Sequence, residues 1–169
     1  MQVSLRKVND SELSEIAVMA ERIWKIYYSE FISMEQIVYM LNKFYSNDSM
    51  LDQVKNGQRF YFIEHENQVK GFTSMSKNEE GNYFIHKLYI DPVHHASKIG
   101  SEVIACLESL MNIDPSKGES FVTLTDNREN YKAINFYFKN GFKIDKVENF
   151  DIGEGYFMTD FVMKKQIKK

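Results

Sequence analysis

The stretch VHHASKIGSEVI, residues 93–104, connects a strand-like run, FIHKLYIDP, to an apolar stripe with helical spacing. A helix that begins here would offer unpaired backbone N–H groups and the positive end of its dipole, which together bind phosphate. Gly100 would allow close approach, and Lys98 either adds a charge beside the phosphate or points to solvent. Taken alone, however, the stretch fits an ordinary connection with Ser97 as N-cap better, because short motifs often match by chance.

Composition restricts what the chain can bind. The length of 169 residues suits one domain, over residues 1–169, and a formal charge of -3 provides no basic surface for nucleic acid. The single cysteine, Cys106, excludes an internal disulfide and a cysteine metal cluster, so we expect no metal. No apolar stretch has the length of a signal peptide or a membrane span. We therefore expect a cytoplasmic protein with a small-molecule partner and no nucleic-acid or membrane partner; a homodimer stays open.

The spacing of apolar residues predicts the elements that would position the stretch. Residues 2–8 alternate like a strand, and helical spacing begins at Ser11, behind a Ser or Asp cap. A second helix begins at Ser33, whose hydroxyl forms a capping box with Gln36. A short third helical segment ends at Gly57.

From residue 59 onward, apolar residues recur at every second position, as in a strand, instead of at helical spacing. The runs RFYFIEH, QVKGFTSMS and NYFIHKLYI predict three antiparallel strands in sequence. The elements after them are a helix over 97–112, a strand at 120–124, a helix between Asn130 and Gly141, and two strands around Gly153 and Gly155. This order predicts an α/β fold with a single mixed, largely antiparallel central sheet of about seven strands flanked by helices.

Three segments follow a known pattern in this order. KLYIDP with HHASKIGSEVI stands where the pattern has a strand ending in L-Y-V, then a Q/R-x-x-G-x-G/A loop and a long helix. NRENYKAINFYFKNGF is similar to N-x-x-A-x-x-x-Y-x-K-x-G-F through Asn130, Ala133, Tyr137, Lys139, Gly141 and Phe142. Essentially the whole chain thus resembles the GNAT superfamily of acyl-CoA-dependent N-acyltransferases. WKIYYSEFISMEQIVYML paired with GYFMTDFVMKK resembles its branch of bacterial diamine or polyamine N-acetyltransferases.

The resemblance implies an enzyme that moves acetyl from acetyl-CoA to a primary amine, such as a polyamine, by direct attack on the thioester. In the superfamily, the fourth and fifth strands splay apart and the pantetheine arm pairs with the exposed edge of the fourth. The cofactor-binding residues implied here are Leu88, Tyr89 and Ile90 at that edge, His95, Ala96, Ser97, Lys98, Ile99, Gly100 and Ser101 in the loop, and Asn130 and Tyr137. His95 and Lys98 replace the Gln or Arg and the Gly of the pattern, which leaves a catalytically weakened CoA-binding sensor as the alternative.

The resemblance also assigns the general acid. Tyr137 would donate a proton to the departing sulfur, and its alternative role is a core aromatic beside Ala133, Ile134 and Phe138. For the base, YFIHKLYI contains no acidic residue, and His86 is the nearest titratable group. A purely structural His86 is favoured over a catalytic one, and a water chain would then take the proton.

An aromatic group near the first two helices predicts the acceptor site. An aliphatic ammonium could be held by cation–π contacts with Trp24, Tyr27, Tyr28 and Tyr39, with Asp160 or Glu30 pairing its charge. Trp24 also fits the buried stripe of an amphipathic helix, whereas Tyr28 breaks that stripe. A third alternative, an unrelated nucleotide-binding α/β domain, would need a parallel sheet, which three consecutive strands argue against.

Overall fold

The computed structural model of the chain describes residues 2–92, 98–114, 116 and 118–167. Within these ranges lie seven strands and five α-helices. In chain order they are β1 (Ser4–Lys7), α1 (Leu13–Tyr27), α2 (Met34–Tyr45), α3 (Asn47–Lys55), β2 (Arg59–His65), β3 (Gln68–Lys77), β4 (Tyr83–Ile90), α4 (Ile99–Leu110), β5 (Ser120–Asn127), α5 (Tyr131–Lys139), β6 (Lys143–Gly153) and β7 (Tyr156–Ile167).

The strands form one sheet in the order β1-β2-β3-β4-β5-β7-β6. β4 runs parallel to β5, with Tyr83–Ile85 in register with Val122–Leu124. The β1–β2, β2–β3, β5–β7 and β6–β7 pairs are antiparallel. The predicted mixed, largely antiparallel sheet is thereby confirmed, and the parallel sheet that the nucleotide-binding alternative requires is absent from these described strands.

One compact unit comprises Met1–Ser76 and Lys87–Leu110. Its helices bury the apolar positions spaced three and four residues apart, and its strands bury a group of phenylalanines. The most fully buried side chains are Leu13, Ile16, Ile23, Ile37, Met50, Phe60, Phe62, Ile63, Phe72 and Leu107. Leu110, predicted on the apolar face of α4, is instead 46% exposed because it lies at the end of the helix. No helix in the described part of the chain has the length and apolarity to cross a membrane.

The helix caps in this unit agree with the sequence in one case and differ in another. The Ser33 hydroxyl accepts a hydrogen bond from the Gln36 backbone N–H at 3.2 Å, as predicted for the start of α2. The predicted Ser or Asp cap of the first helix is wrong. Residues Asp10–Glu12 form a 3-10 turn, and Asn9 precedes it, donating its backbone N–H to the Glu12 carboxylate at 2.9 Å. α1 therefore begins only at Leu13.

The second unit comprises Lys77–His86 and Met111–Lys169. Alternate residues of β5 are buried, so one face of the strand contributes Val122 and Leu124 to the core. The Asn130 side chain caps α5 by accepting from the Ala133 backbone N–H at 3.3 Å, as predicted. Gly141 follows the helix with a φ of +86°, a left-handed conformation that favours glycine.

Candidate functional site

The end of β4 is held closely against β3. Leu88, Tyr89 and Ile90 are half-buried, and the next residue, Asp91, donates its backbone N–H to the Lys70 carbonyl at 2.8 Å. A Cβ added to Gly71 would lie 2.1 Å from the Tyr89 carbonyl oxygen. Because two backbones approach this closely, a side chain on that residue of β3 would displace the segment predicted to bind the pantetheine arm.

The helix predicted to bind the diphosphate is only partly within the described residues. α4 begins at Ile99, which is buried, while Lys98 and Ser101 are exposed and Gly100 is half-buried. The exposed side chain of Lys98 is compatible with both of its predicted orientations. The remaining loop residues, His95, Ala96 and Ser97, lie outside the described residues, so the diphosphate site stays a prediction.

Aromatic side chains from several elements of the first unit surround one face of β4. Trp24 lies with its ring centroid 5.0 Å from Tyr28, 5.5 Å from Tyr45 and 5.7 Å from Tyr89. Phe72 packs 5.4 Å from Tyr89 and 6.0 Å from Tyr45. Trp24 and Tyr45 are buried, whereas Tyr28 and Tyr89 are half-buried and form the accessible side. These five residues are called the aromatic cluster below, and it includes Trp24 and Tyr28 of the four predicted acceptor-site aromatics.

Two polar atoms inside the aromatic cluster are poorly satisfied. Trp24 Nε1 and the Tyr45 hydroxyl are buried and make no hydrogen bond of normal geometry within the described residues. Burial raises the pKa of Tyr45 well above its usual value; Tyr89 acts in the same direction and Trp24 against it. Both neighbours thus lie near the Tyr45 hydroxyl.

Tyr137 is in the second unit, on α5. It is 6% exposed, with its ring 5.2 Å from Phe136 and 5.7 Å from Phe142. Phe138 was expected beside Tyr137 in the core but is 45% exposed, because one residue further along the helix the side chain faces solvent. This packing holds the Tyr137 ring firmly, which suits a core aromatic and a positioned general acid alike.

Two buried carboxylates lie near the start of α5. The Asn130 side chain donates to Asp126 Oδ1 at 2.9 Å. Burial raises the pKa of Asp126 to about 7, the charge of Asp160 acts likewise, and hydrogen bonds from Asn130 and Asn127 oppose the rise. Burial also raises the pKa of Asp160 to about 6, against a hydrogen bond from Thr125 and the charge of Arg128. Asp160, the predicted partner of an acceptor ammonium, is thus buried and ionised mainly above pH 6.

Asp126 should make the protein less stable as the pH rises through neutrality. Its pKa is about 7 when folded and near 3.8 ordinarily, so between these values the folded state binds more protons than the unfolded state. The free energy of unfolding therefore falls as pH rises through this window, by about 4 kcal/mol if the whole difference is expressed. Asp126→Asn should remove the share of this fall that belongs to Asp126, leaving the smaller share of Asp160, and should stabilise the protein at pH 8, as measured by urea unfolding from pH 4 to 8. The exposed Asp145→Asn is the control, and an unchanged slope in Asp126→Asn would contradict the assignment.

His86 and Lys87 point to opposite faces of β4, since neighbouring strand residues alternate. His86 is exposed, with its ring 4.7 Å from Phe84. Lys87 is only 9% exposed and faces the core. The sequence reasoning did not select Lys87, although its parity with the apolar Ile85 is a signal of burial. Asp126 was also missed, and it shares the buried parity of Val122 and Leu124 in β5.

Comparisons with known proteins agree with this architecture. The family model described as "Acetyltransferase (GNAT) family" matches residues 20–142. The chain is 25% identical to the spermidine N(1)-acetyltransferase of Thermoplasma acidophilum, over 98% of either chain. It superposes with a TM-score of 0.76 and 26% identity on the paia N-acetyltransferase of Thermoplasma acidophilum in complex with coenzyme A, covering 98% of this chain and 99% of that one. A GCN5-related N-acetyltransferase structure from Rhodopseudomonas palustris has the same fold, with a TM-score of 0.76, 18% identity and coverage of 98% and 96%.

Proposed function

The chain belongs to the acetyltransferase (GNAT) family and is an acetyl-CoA-dependent N-acetyltransferase, and from this premise we propose that its acceptor is a small primary amine of the polyamine class. The observation that carries the proposal is the aromatic cluster beside the end of β4, with Tyr28 and Tyr89 on its accessible side. The similarity to a spermidine N(1)-acetyltransferase supports the same acceptor class.

The aromatic cluster has the chemistry to bind an alkylamine. Aromatic faces attract an ammonium group, and this attraction is stronger where water is excluded. Trp24 and Tyr28 are accordingly the proposed substrate-binding residues of the first unit. The pairing of an acceptor ammonium with Asp160, a residue of the second unit, stays a prediction.

The remaining residues have distinct proposed roles in the transfer. Acetyl-CoA supplies the activated acetyl group as a thioester. Backbone groups of Leu88–Ile90 hold the pantetheine arm and polarise the acetyl carbonyl, a function that tolerates changes of side chain. Main-chain N–H groups of residues 96–101 are proposed to bind the diphosphate, and His95 and Asn130 are further proposed cofactor-binding residues. Tyr137 protonates the departing sulfur.

The test of the proposed function is thiol release. Protein, acetyl-CoA and each of a panel of amines are mixed with a thiol reagent: spermidine, spermine, putrescine, an aminoglycoside and a peptide with a free N-terminus. We expect thiol to appear fastest with the polyamines, since their alkyl chains and ammonium groups suit aromatic faces. Tyr28→Ala should raise the KM for the amine about tenfold, corresponding to the loss of a cation–π contact of roughly 1 to 2 kcal/mol. Tyr131→Ala, at an exposed tyrosine of α5 outside the aromatic cluster, is the matched control.

Thermal denaturation and thiol release, measured together, distinguish an enzyme from a CoA-binding sensor. Acetyl-CoA at one hundred times its dissociation constant should add about 2.7 kcal/mol to the free energy of unfolding in either case. Stabilisation without thiol release from any amine would favour the sensor and contradict the proposed function. Stabilisation by ATP or NAD instead of acetyl-CoA would contradict both.

A further inference from the structure

Lys87 is a buried amine whose side chain contacts three neutral residues, Gln53, Tyr45 and Phe60, called the box below. Its Nζ donates a hydrogen bond to Gln53 Oε1 at 2.6 Å and lies 5.3 Å from the ring centroid of Tyr45 and 5.2 Å from that of Phe60. No carboxylate forms an ion pair with Lys87 within the described residues. The two rings attract the charged form, but burying an ammonium without a counterion is costly, and this cost of burial lowers the pKa of Lys87 and favours the neutral amine.

Gln53 is oriented so that it receives a hydrogen from Lys87. Gln53 Nε2 donates to the Phe44 carbonyl at 2.8 Å and to Ser49 Oγ at 3.1 Å, which leaves Oε1 facing the lysine. A neutral amine that donates one hydrogen to Gln53 Oε1 keeps its lone pair for another partner. The arrangement therefore holds Lys87 as a proton acceptor.

Lys87 lies on the side of β4 where the proposed acceptor amine would bind. Lys87 and Tyr89 are two residues apart on one strand, so their side chains point to the same face. Tyr45 belongs both to the box around Lys87 and to the aromatic cluster. His86 points to the opposite face and is exposed.

The groups around Lys87 leave its protonation sensitive to pH near neutrality. Burial lowers the pKa of Lys87 from 10.5 to about 7. Tyr45 faces it from α2 with a pKa raised well above its usual value, so it stays neutral. α3 presents the neutral amide of Gln53, β2 the ring of Phe60, and β3 the neutral Thr73, whose hydroxyl donates to the Lys87 carbonyl at 2.6 Å.

We propose that Lys87 accepts the proton that the acceptor ammonium must lose before it can attack the thioester. This inference rests on the proposed function. The ammonium of the acceptor transfers one proton to the Lys87 lone pair, giving a neutral amine and a lysine ammonium. The amine nitrogen then bonds to the acetyl carbon, the carbon–sulfur bond breaks, and the second proton from nitrogen goes to the sulfur, which leaves as the free thiol. Lys87 finally releases its proton to solvent, so one amide, one free thiol and one proton are formed.

The test is the pH profile of kcat/KM for spermidine in the wild-type protein, Lys87→Met and a control. Wild-type activity should rise with pH to a plateau just above 7. In Lys87→Met we expect at least a tenfold loss at pH 8 and no inflection near 7. Lys77→Met is the matched control, because Lys77 also lies over an aromatic ring, Tyr83 at 5.3 Å, yet is exposed. It should keep the wild-type profile.

Lys87→Met should fold, because methionine replaces a buried amine whose charged form is costly in this environment. Folded Lys87 loses its proton near pH 7 and an unfolded lysine near 10.5, so the stability of the wild-type protein should rise with pH between these values. Lys87→Met should lack this rise and should have a higher Tm at pH 7. A merely structural lysine would give the same change in Tm but would leave the inflection in the pH profile unmoved.

The outcomes distinguish failure of the role of Lys87 from failure of the proposed function. If Lys87→Met keeps the wild-type rate and inflection, or if His86→Gln is the variant that moves the inflection, the role of Lys87 is overturned while the proposed function stands. If the wild-type protein releases no thiol with any amine, the proposed function fails and this role fails with it. Independently of activity, NMR of lysine labelled with ¹³C at Cε reports the charge of Lys87. A resonance that stays protonated above pH 9 overturns the role, and a titration near 7 supports it.

Discussion

Tyr137→Phe should lower kcat at least a hundredfold while leaving the KM for acetyl-CoA unchanged. The phenol is the proposed proton donor to the leaving thiolate, and such a donor typically contributes about 10² to 10⁴ in rate. The substitution keeps the ring, so the contacts with Phe136 and Phe142 are retained. Thiol release under saturating acetyl-CoA and spermidine measures the effect.

A matched control is available on the same helix. Tyr131 is 71% exposed at the start of α5, and Tyr131→Phe removes the same atom without touching the core. It should keep the wild-type kcat. Less than a threefold change in Tyr137→Phe would leave Tyr137 as a core aromatic and remove it from the chemistry. If Tyr137→Phe lowers Tm as well as kcat, loss of packing is the cause of the lower rate.

Gly71→Ala should weaken acetyl-CoA binding at least tenfold, the second large effect. A Cβ at this position would lie 2.1 Å from the Tyr89 carbonyl oxygen and 2.9 Å from Ile90 Cα, and backbone atoms cannot move aside as a side-chain end can. The end of β4 must therefore shift, and with it the backbone groups proposed to hold the pantetheine arm. Isothermal titration with acetyl-CoA measures the loss.

Gly57→Ala separates displacement of β4 from general destabilisation. Gly57 has a φ of +90° and open space around its Cβ, so alanine there strains the backbone without a clash. It should lower Tm yet leave the affinity for acetyl-CoA near that of the wild-type protein. An unchanged affinity in folded Gly71→Ala would show that the Tyr89–Ile90 backbone does not bind the arm.

Local signals in the sequence correctly predicted most of the elements. The change from helical spacing to a period of two marks where β2 begins, and the three runs that follow are the observed β2, β3 and β4. The caps at Ser33 and Asn130 are confirmed because a hydroxyl or amide oxygen reaches the backbone N–H three residues on. The start of α1 was predicted too early, because Asp10–Glu12 satisfy their backbone groups in a 3-10 turn instead.

The candidate site was predicted less completely. Motif spacing selected Tyr137 and Asn130, and the aromatic residues near the first two helices selected Trp24 and Tyr28. Nothing local distinguishes Tyr45 as the residue that packs against Trp24 and also covers Lys87, because those contacts join α1, α2 and β4. His86 was selected because imidazole can accept a proton near neutral pH, which is a property of the residue type alone, and Lys87 was not considered.

By itself the sequence determined the order of strands and helices, the caps at Ser33 and Asn130, and the family, since all of these depend on residue types at short and regular spacing. Only the tertiary structure decided the environments of Lys87 and Asp126. Each is a charged residue at an inward position of a strand, and its protonation depends on how much water the packed elements exclude and which neutral groups replace that water. Gly71 is a similar case, because its requirement for glycine comes from the backbone of β4, which is distant in the chain and adjacent in space.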